Sequence, residues 1–332
     1  MNPIRLLFTL LVFAFAIAAC AVQATPSAPV SAPVERTPQP GGGQTPATVE
    51  PAIAVDVQDP ANPAATSTPT ETLAQPTPRP TLVPEAWKEL PVIPTVSDTA
   101  RAIYQRGLAM GTNPQAFSKV GDCQNVSSYF LSAFDTPGEY SLGTEYAYLQ
   151  DTITYYQGSF SRESEATKGG YNVAAILQPL RADPKACNPD ESPLTCELRI
   201  HNPSVVIVSL EEGWGSRPAE TYGRYMRQVI ETIIARGVVP ILATKADNIE
   251  GDHSINATIA QIAYEYDIPL WNFWLAVQPL PDHGLSKDGF HLTFARNFFD
   301  DPVRMKNAWP VRNLTALQAL DAVRRGLTQT TP

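Results

Sequence analysis

Apolar residues are spread unevenly along the chain, and their spacing divides it into three stretches. From Leu6 to Ala19 they are continuous except for Thr9. From Ala21 to about Pro84 large apolar side chains are sparse, and Pro, Thr, Ala, Gln, Ser and Gly dominate. Beyond Pro84 the pattern becomes periodic. Ser97 or Asp98 caps a predicted helix through about Met110, with Ala100, Ile103, Tyr104 and Leu108 apolar. Ala116 to Gly121 reads as a short strand, and Tyr146 to Tyr156 and Tyr171 to Leu180 carry helix-like spacing. Ser204 to Leu210 is β-branched and nearly uninterrupted, the pattern of a strand buried on both faces. Ala219 to Arg236 places Met226, Val229, Ile230, Ile233 and Ile234 on one helical face, and Gly237 closes it. A second buried strand (Val238 to Ala243), a helix (Ile255 to Tyr266), a third strand (Pro269 to Phe273) and a last helix (Thr315 to Leu327) follow.

Buried strands alternating with helices imply right-handed βαβ units. The expectation is a three-layer α/β/α sandwich with a mainly parallel sheet over residues 85–332. Sites in such a sheet form at the carboxyl ends of the strands. That rule singles out Gly121-Asp122-Cys123, the stretch from Glu211 to Gly215, and the loop holding Asp288 and His291.

The N-terminal apolar block is too short to cross a bilayer, which takes about 20 residues. Its length suits a secretory signal. It ends at Ile17-Ala18-Ala19-Cys20, which resembles the bacterial lipobox. That resemblance implies lipidation of Cys20, anchoring to membrane lipid and an extracytoplasmic location. An ordinary signal peptide cleaved after Ala19, or an uncleaved anchor, would also place the domain outside the cytoplasm. Residues 21–84 cannot bury enough surface to offset chain entropy and read as a disordered stalk. Its reach is about 45 Å as a flexible coil and roughly 200 Å as extended polyproline II.

The net charge of −9, with no cluster of Lys and Arg, argues against nucleic acid as a partner. The chain is read as a monomer that needs no cofactor. No His/Cys set has metal-ligand spacing, and Asp252-His253 reads as a helix cap. Three cysteines remain after Cys20. Cys187 and Cys196, in a loop-like stretch, are candidates for a local disulfide in an oxidising compartment, which leaves Cys123 as the odd thiol. His201 and His283 fall in polar loops and read as solvated, and Trp214, Trp271 and Trp274 read mainly as core.

Gly121-Asp122-Cys123 resembles the Gly-Asp-Ser block of the SGNH (GDSL-type) hydrolases, with cysteine in place of the serine nucleophile. Asp288-Gly289-Phe290-His291 resembles that family's Asp-x-x-His block. Between them, Gly169-Gly170 resembles the glycine block, and Ser209 to Trp214 occupies the place of the Gly-x-Asn-Asp block. The resemblance spans Phe117 to Thr293 and implies a flavodoxin-like sheet and acyl transfer. Cys123 would be the nucleophile, His291 the base and Asp288 its orienting carboxylate, with Gly170 lending a backbone N–H.

Two departures bear on activity. Cys123 is either an activated thiolate or a buried structural thiol. Gly213 stands where the family has an oxyanion asparagine, and loss of one such donor costs on the order of 10²–10³ in rate. Asn125 or Gln124 is the substitute amide to look for. Two functions stay open at this level. One is an extracytoplasmic esterase acting on acylated glycans; the other is an inactive relative that binds a glycan or acyl ligand.

Overall fold

The computed structural model describes residues 81–210 and 218–329. Cys20 and the apolar block before it, the stalk up to residue 80, and Glu211, Glu212, Gly213 and Trp214 lie outside the described residues.

Four parallel strands form the main sheet, in the order β1 (Asn113–Gly121), β3 (Pro203–Ser209), β4 (Val239–Ala243), β5 (Leu270–Trp271). A separate parallel pair joins β2 (Tyr140–Ser141) to β6 (Asn297–Phe298). Every residue of β3 and β4 is buried, as their largely apolar sequences require. Helices cover both faces. On one side α1 (Asp98–Ala109), α2 (Gln150–Tyr155) and α6 (Phe273–Val277) pack on the long α7 (Ala308–Thr328). On the other, α4 (Ala219–Ala235) packs between α3 (Pro193–His201) and α5 (Ser254–Tyr266). The three-layer sandwich expected from the alternation of strands and helices is the one the chain adopts.

Local chemistry explains most boundaries. The Ser97 hydroxyl accepts from Ala100 N at 3.0 Å and starts α1. In α4 the apolar stripe Tyr222, Met226, Val229, Ile230 and Ile233 is fully buried. Gly237 ends that helix at φ +70°, and a Cβ there would lie 2.3 Å from Gly107 Cα, so α1 requires a glycine on this turn.

Four local expectations fail. Tyr171 to Leu180 is not a helix but a loop with single turns at Ala175–Leu177 and Pro179–Arg181. Asn172 Oδ1 accepts from both Ala174 N and Ala175 N, and Pro179 blocks continuation. The third strand shrinks to Leu270–Trp271, because Asn272 turns away to cap α6 and to donate to Trp87 O and Leu90 O. The last helix starts at Ala308 rather than Thr315, with Pro310 accommodated in its first turn. The stretch after Cys187, read as loop, contains α3, which opens on a capping box of Ser192 and Thr195 with Pro193 at its first position.

Candidate active site

The main-sheet order places β3 on one edge of β1, and a parallel bridge from Gly121 to Thr167 occupies the other. The carboxyl end of β1 is the end of the strand at which ligands bind in an open α/β sheet. Gly121-Asp122-Cys123 sits at that point. A Cβ on Gly121 would fall 2.2 Å from Asn125 Nδ2 and 2.6 Å from Ser209 O, so only glycine fits this turn. Buried Asp122 accepts from Gln124 N at 3.2 Å and from Asn125 Nδ2 at 3.3 Å, fixing the single helical turn that Cys123 opens. Cys123 is half-buried and carries its sulfur as a thiol.

Asn125 is a brace and not a pocket donor. Its Nδ2 donates to Asp122 Oδ1 and, at 2.9 Å, to Ser209 O, which uses both amide hydrogens. Its Oδ1 accepts from Arg312 Nη2 at 3.1 Å. The expectation of a substitute oxyanion amide at Asn125 is therefore corrected. The side chain is enclosed and ties the Cys123 turn to the end of β3.

His291 and Asp288 meet across one tight loop. His291 Nδ1 and Asp288 Oδ2 are 2.6 Å apart, and Asp288 Oδ1 accepts from the backbone N–H of Phe290 and of His291, each at 3.0 Å. The His291 contact and those two N–H groups hold the Asp288 carboxyl down at about 2. An ionised carboxylate on Nδ1 fixes the proton there and leaves Nε2 as the basic nitrogen. Asp288 thus shapes the turn and orients the imidazole at once. The loop is closed at its base by Ser286 N donating to His291 O at 2.7 Å and by the Leu285–Leu292 bridge. It is joined to the Cys123 turn directly, since Gln124 Nε2 donates to Phe290 O at 3.4 Å. The residues flanking Cys123 and His291 are in contact although 166 positions separate them.

Gly169 lies beside Cys123, and Gly170 follows it in the chain. A methyl on Gly169 would come 3.8 Å from Cys123 Cβ, and Gly170 is exposed at φ +84°. The segment is anchored by Gly121 N donating to Ala166 O (3.1 Å) and Lys168 N donating to Gly121 O (3.3 Å). These glycines open onto a cleft of about 740 Å³. Cys187 and Cys196 are bonded to each other, with Cα atoms 5.3 Å apart, and tie the chain beyond this cleft to α3.

Two buried charges behind β1 escaped the sequence reading. Glu197 on α3 accepts from Ser118 Oγ, from both terminal nitrogens of Arg162 and from Glu165 N. Lys119 is 1% exposed, and its Nζ donates to Ser127 Oγ (2.9 Å) and Phe160 O (2.8 Å). Burial draws its pKa down to about 8. A polar pair inside an otherwise apolar strand, Ser118-Lys119, was the signal available. His201 is corrected from solvated to partly buried: its Nε2 lies 3.0 Å from Phe117 O and 3.3 Å from Ser159 Oγ. Trp271 is fully buried and donates to Thr315 Oγ1 at 3.1 Å.

Among the described residues no group of three or more His, Cys, Asp or Glu side chains is arranged to hold a metal ion. No described helix is long and apolar enough to cross a membrane.

Neither a family profile nor a curated protein sequence matches the chain. Among solved structures it is similar to the psychrotrophic esterase EstA from Pseudoalteromonas sp., at 14% identity over 62% of this chain and 97% of that one, with a TM-score of 0.40. It is similar to a GDSL-like lipase from Bacteroides thetaiotaomicron, at 14% identity over 67% of this chain and 97% of that one, with a TM-score of 0.38. A third likeness is to TesA, at 18% identity over 60% of this chain and 99% of that one, with a TM-score of 0.38.

Proposed function

We propose that this domain is an ester hydrolase of the SGNH type that works through Cys123, His291 and Asp288. The observation that carries the reading is the Gln124–Phe290 contact. It sets the turn opened by Cys123 against the loop in which Asp288 has already oriented His291. In the reaction, Nε2 of His291 removes the thiol proton and the sulfur attacks the ester carbonyl carbon. The tetrahedral intermediate collapses by breaking the bond to the alcohol oxygen, which takes the proton back from Nε2. Water then enters by the same base and releases the acid from the thioester. In this reading Gly170, from the segment that resembles the family's glycine block, lends its N–H to the oxyanion.

The proposal extends to location: Cys20 carries lipid, residues 21–84 form the stalk, and the substrate is an acylated glycan of the envelope or surroundings. A second reading has its own support. Asn125 is committed to the scaffold and Gly213 replaces the family's asparagine, which fits a protein that binds such a ligand without turnover.

The test uses the full chain in detergent with 4-nitrophenyl acetate. The hydrolase reading expects turnover that iodoacetamide abolishes and that Cys123→Ala and His291→Ala each lower by on the order of 10³ or more. Turnover that survives both substitutions removes the assignment, and absence of turnover by the unaltered chain favours the binding protein.

A further inference from the structure

The chain leading into the domain is strapped across the carboxyl ends of β4 and β5. Trp87, in a single helical turn (Ala86–Glu89), is 2% exposed. Its ring stands 4.9 Å from that of Trp274 on α6 and 6.0 Å from that of His253 at the start of α5, and those two rings are 5.8 Å apart. Asn272, just beyond β5, donates to Trp87 O and Leu90 O, and Leu82 N donates to Gln261 Oε1 on α5 at 2.8 Å. The turn depends on these partners for its shape: Glu85 before it stands at φ +68°, and no side chain caps it. Trp87 Nε1 is buried without a hydrogen-bond partner among the described residues, so the closed strap forgoes a bond that water supplies when it opens.

Charges around His253 make this contact sensitive to acid. Lys88 Nζ lies 5.7 Å from the ring centres of both Trp87 and Trp274, so the aromatic faces beside the imidazole already hold one cation. Buried Lys245, on the loop after β4, is a second. The carboxylates that could offset a new charge are engaged: Glu85 pairs with Lys88, and Glu250 and Asp247 both pair with Lys245, at 2.5 and 2.8 Å. Asp252 accepts from Ser254 N at 3.0 Å. The imidazole Nδ1 is buried, and a proton added there meets no acceptor in the closed arrangement among the described residues. Burial and then Lys88 hold the imidazole below its ordinary value of 6.5. The histidine itself is rooted at φ +55° by its N–H to Asn248 Oδ1 and by Ala257 N donating to its carbonyl, so the strap is the part that yields.

We propose that His253 is an acid-operated latch: when the ring gains a proton, the strap from Leu82 to Leu90 leaves the rim while the sheet stays folded. An imidazole that is harder to protonate under the closed strap favours the open strap once protons are taken up. Closure is therefore complete above about pH 6.5 and weakens as pH falls below it. The sheet is spared, because Asn272 N still donates to Val92 O and Ser97 still caps α1. The freed stretch adds about 30 Å of reach to the chain ahead of the domain. The latch does not depend on the hydrolase reading.

Amide hydrogen exchange on the full chain in detergent tests it, with protection factors corrected for the intrinsic rate at each pH. Between about pH 7.5 and 5, protection over residues 86–90 should fall by about threefold or more relative to that of β3. His253→Phe keeps a ring against Trp87 but does not titrate, and should abolish the fall. Lys88→Met removes the neighbouring cation, eases protonation under the closed strap and should shrink the fall; it decides the matter if His253→Phe does not fold. Strap protection that stays level, or that rises in acid as a new His253–Glu250 pair would make it, overturns the proposal. So does a fall shared equally by β3, or one of unchanged size in either variant. Ester turnover is no part of the readout, so the latch and the hydrolase reading fail separately.

Discussion

Arg312 on α7 donates through Nη2 to Oδ1 of Asn125, 187 positions earlier in the chain, and the same nitrogen reaches Ser209 Oγ at 3.0 Å. Its guanidinium is wholly enclosed and lies 4.9 Å from the ring centres of Phe130 and Phe273 and 5.4 Å from that of Trp271. A planar cation over aromatic faces is attracted by their quadrupoles, which offsets part of its lost hydration. The consequence is mechanical. One side chain from the last helix ties the Cys123 turn to the end of β3.

Arg312→Met should therefore destabilise the fold by about 3 kcal/mol, since it strands two buried acceptors together with the packing of three rings. Arg312→Lys should not rescue it, because a point charge on a flexible stem cannot stack and span both oxygens. Urea denaturation reads the change in midpoint at constant slope. A loss below about 0.5 kcal/mol, the size of an ordinary surface change, would mean the brace carries no weight.

Asp288→Asn separates orientation from scaffolding. The amide keeps an Oδ1 able to accept from Phe290 N and His291 N, so the loop should hold its shape. It no longer favours a proton on Nδ1, and in the triad template that change lowers kcat by up to on the order of 10⁴. With pH the sign is set by the depressed carboxyl. Its anionic contribution is complete above the ordinary carboxylate range and fades only as pH falls towards about 2. Hence the acid limb of kcat/KM between about pH 5 and 8 should not report Asp288. A variant with unaltered rate and unaltered profile would show that the carboxylate only shapes the turn.

Much of this site could be read in the chain because its parts are local. Asp288 and His291 meet within one turn, and Gly121-Asp122-Cys123 follows a strand whose apolar pattern is plain. The α/β architecture was legible for the same reason, since uninterrupted strands such as β3 have no other way to be buried. What stayed hidden depends on distant partners. Asn125 looks like a spare amide until Ser209 and Arg312 are placed around it. Arg312 gives no sign of itself, because arginine on a helix is ordinarily solvated. The false helix at Tyr171 to Leu180 has the right spacing, but Val173 and Ile176 are buried by a loop that Asn172 and Pro179 hold open along the cleft.

Lys119 makes stability depend on alkali in an unusual direction. Its folded pKa of about 8 lies below the ordinary lysine value, so between about pH 8 and 10 the unfolded chain binds the proton that the folded chain has released. Unfolding then takes up a proton, and stability rises with pH by up to about 1.4 kcal/mol per unit in that window. The tyrosines raised by burial, Tyr104 among them, oppose this only above about pH 10, where the unfolded phenols ionise first. Lys119→Met removes the titrating group while nearly keeping its volume. Across about pH 7.5 to 10 the denaturation midpoint of the unaltered protein should rise relative to that of the variant. Parallel curves would place the slope elsewhere.

The bond between Cys187 and Cys196 closes a sequence separation of 9 at the start of α3. Closing a loop of that size removes unfolded-state entropy worth about 3 kcal/mol. Its position extends the effect to the cleft. Cys187 N and Ala186 N both donate to Asp183 O, so the bridge holds the wall that carries Asp183 and Arg181. The double variant Cys187→Ser/Cys196→Ser should lower stability by about that amount. Unaltered protein treated with dithiothreitol should match it. Cys123 lies outside this bridge, and its alkylation after reoxidation should leave the melting midpoint in place while stopping ester turnover. If the double variant instead melts with the unaltered protein, the bridge is dispensable for stability, and the rigidity of the cleft wall must come from the Glu197 contacts with Arg162 and Glu165 alone.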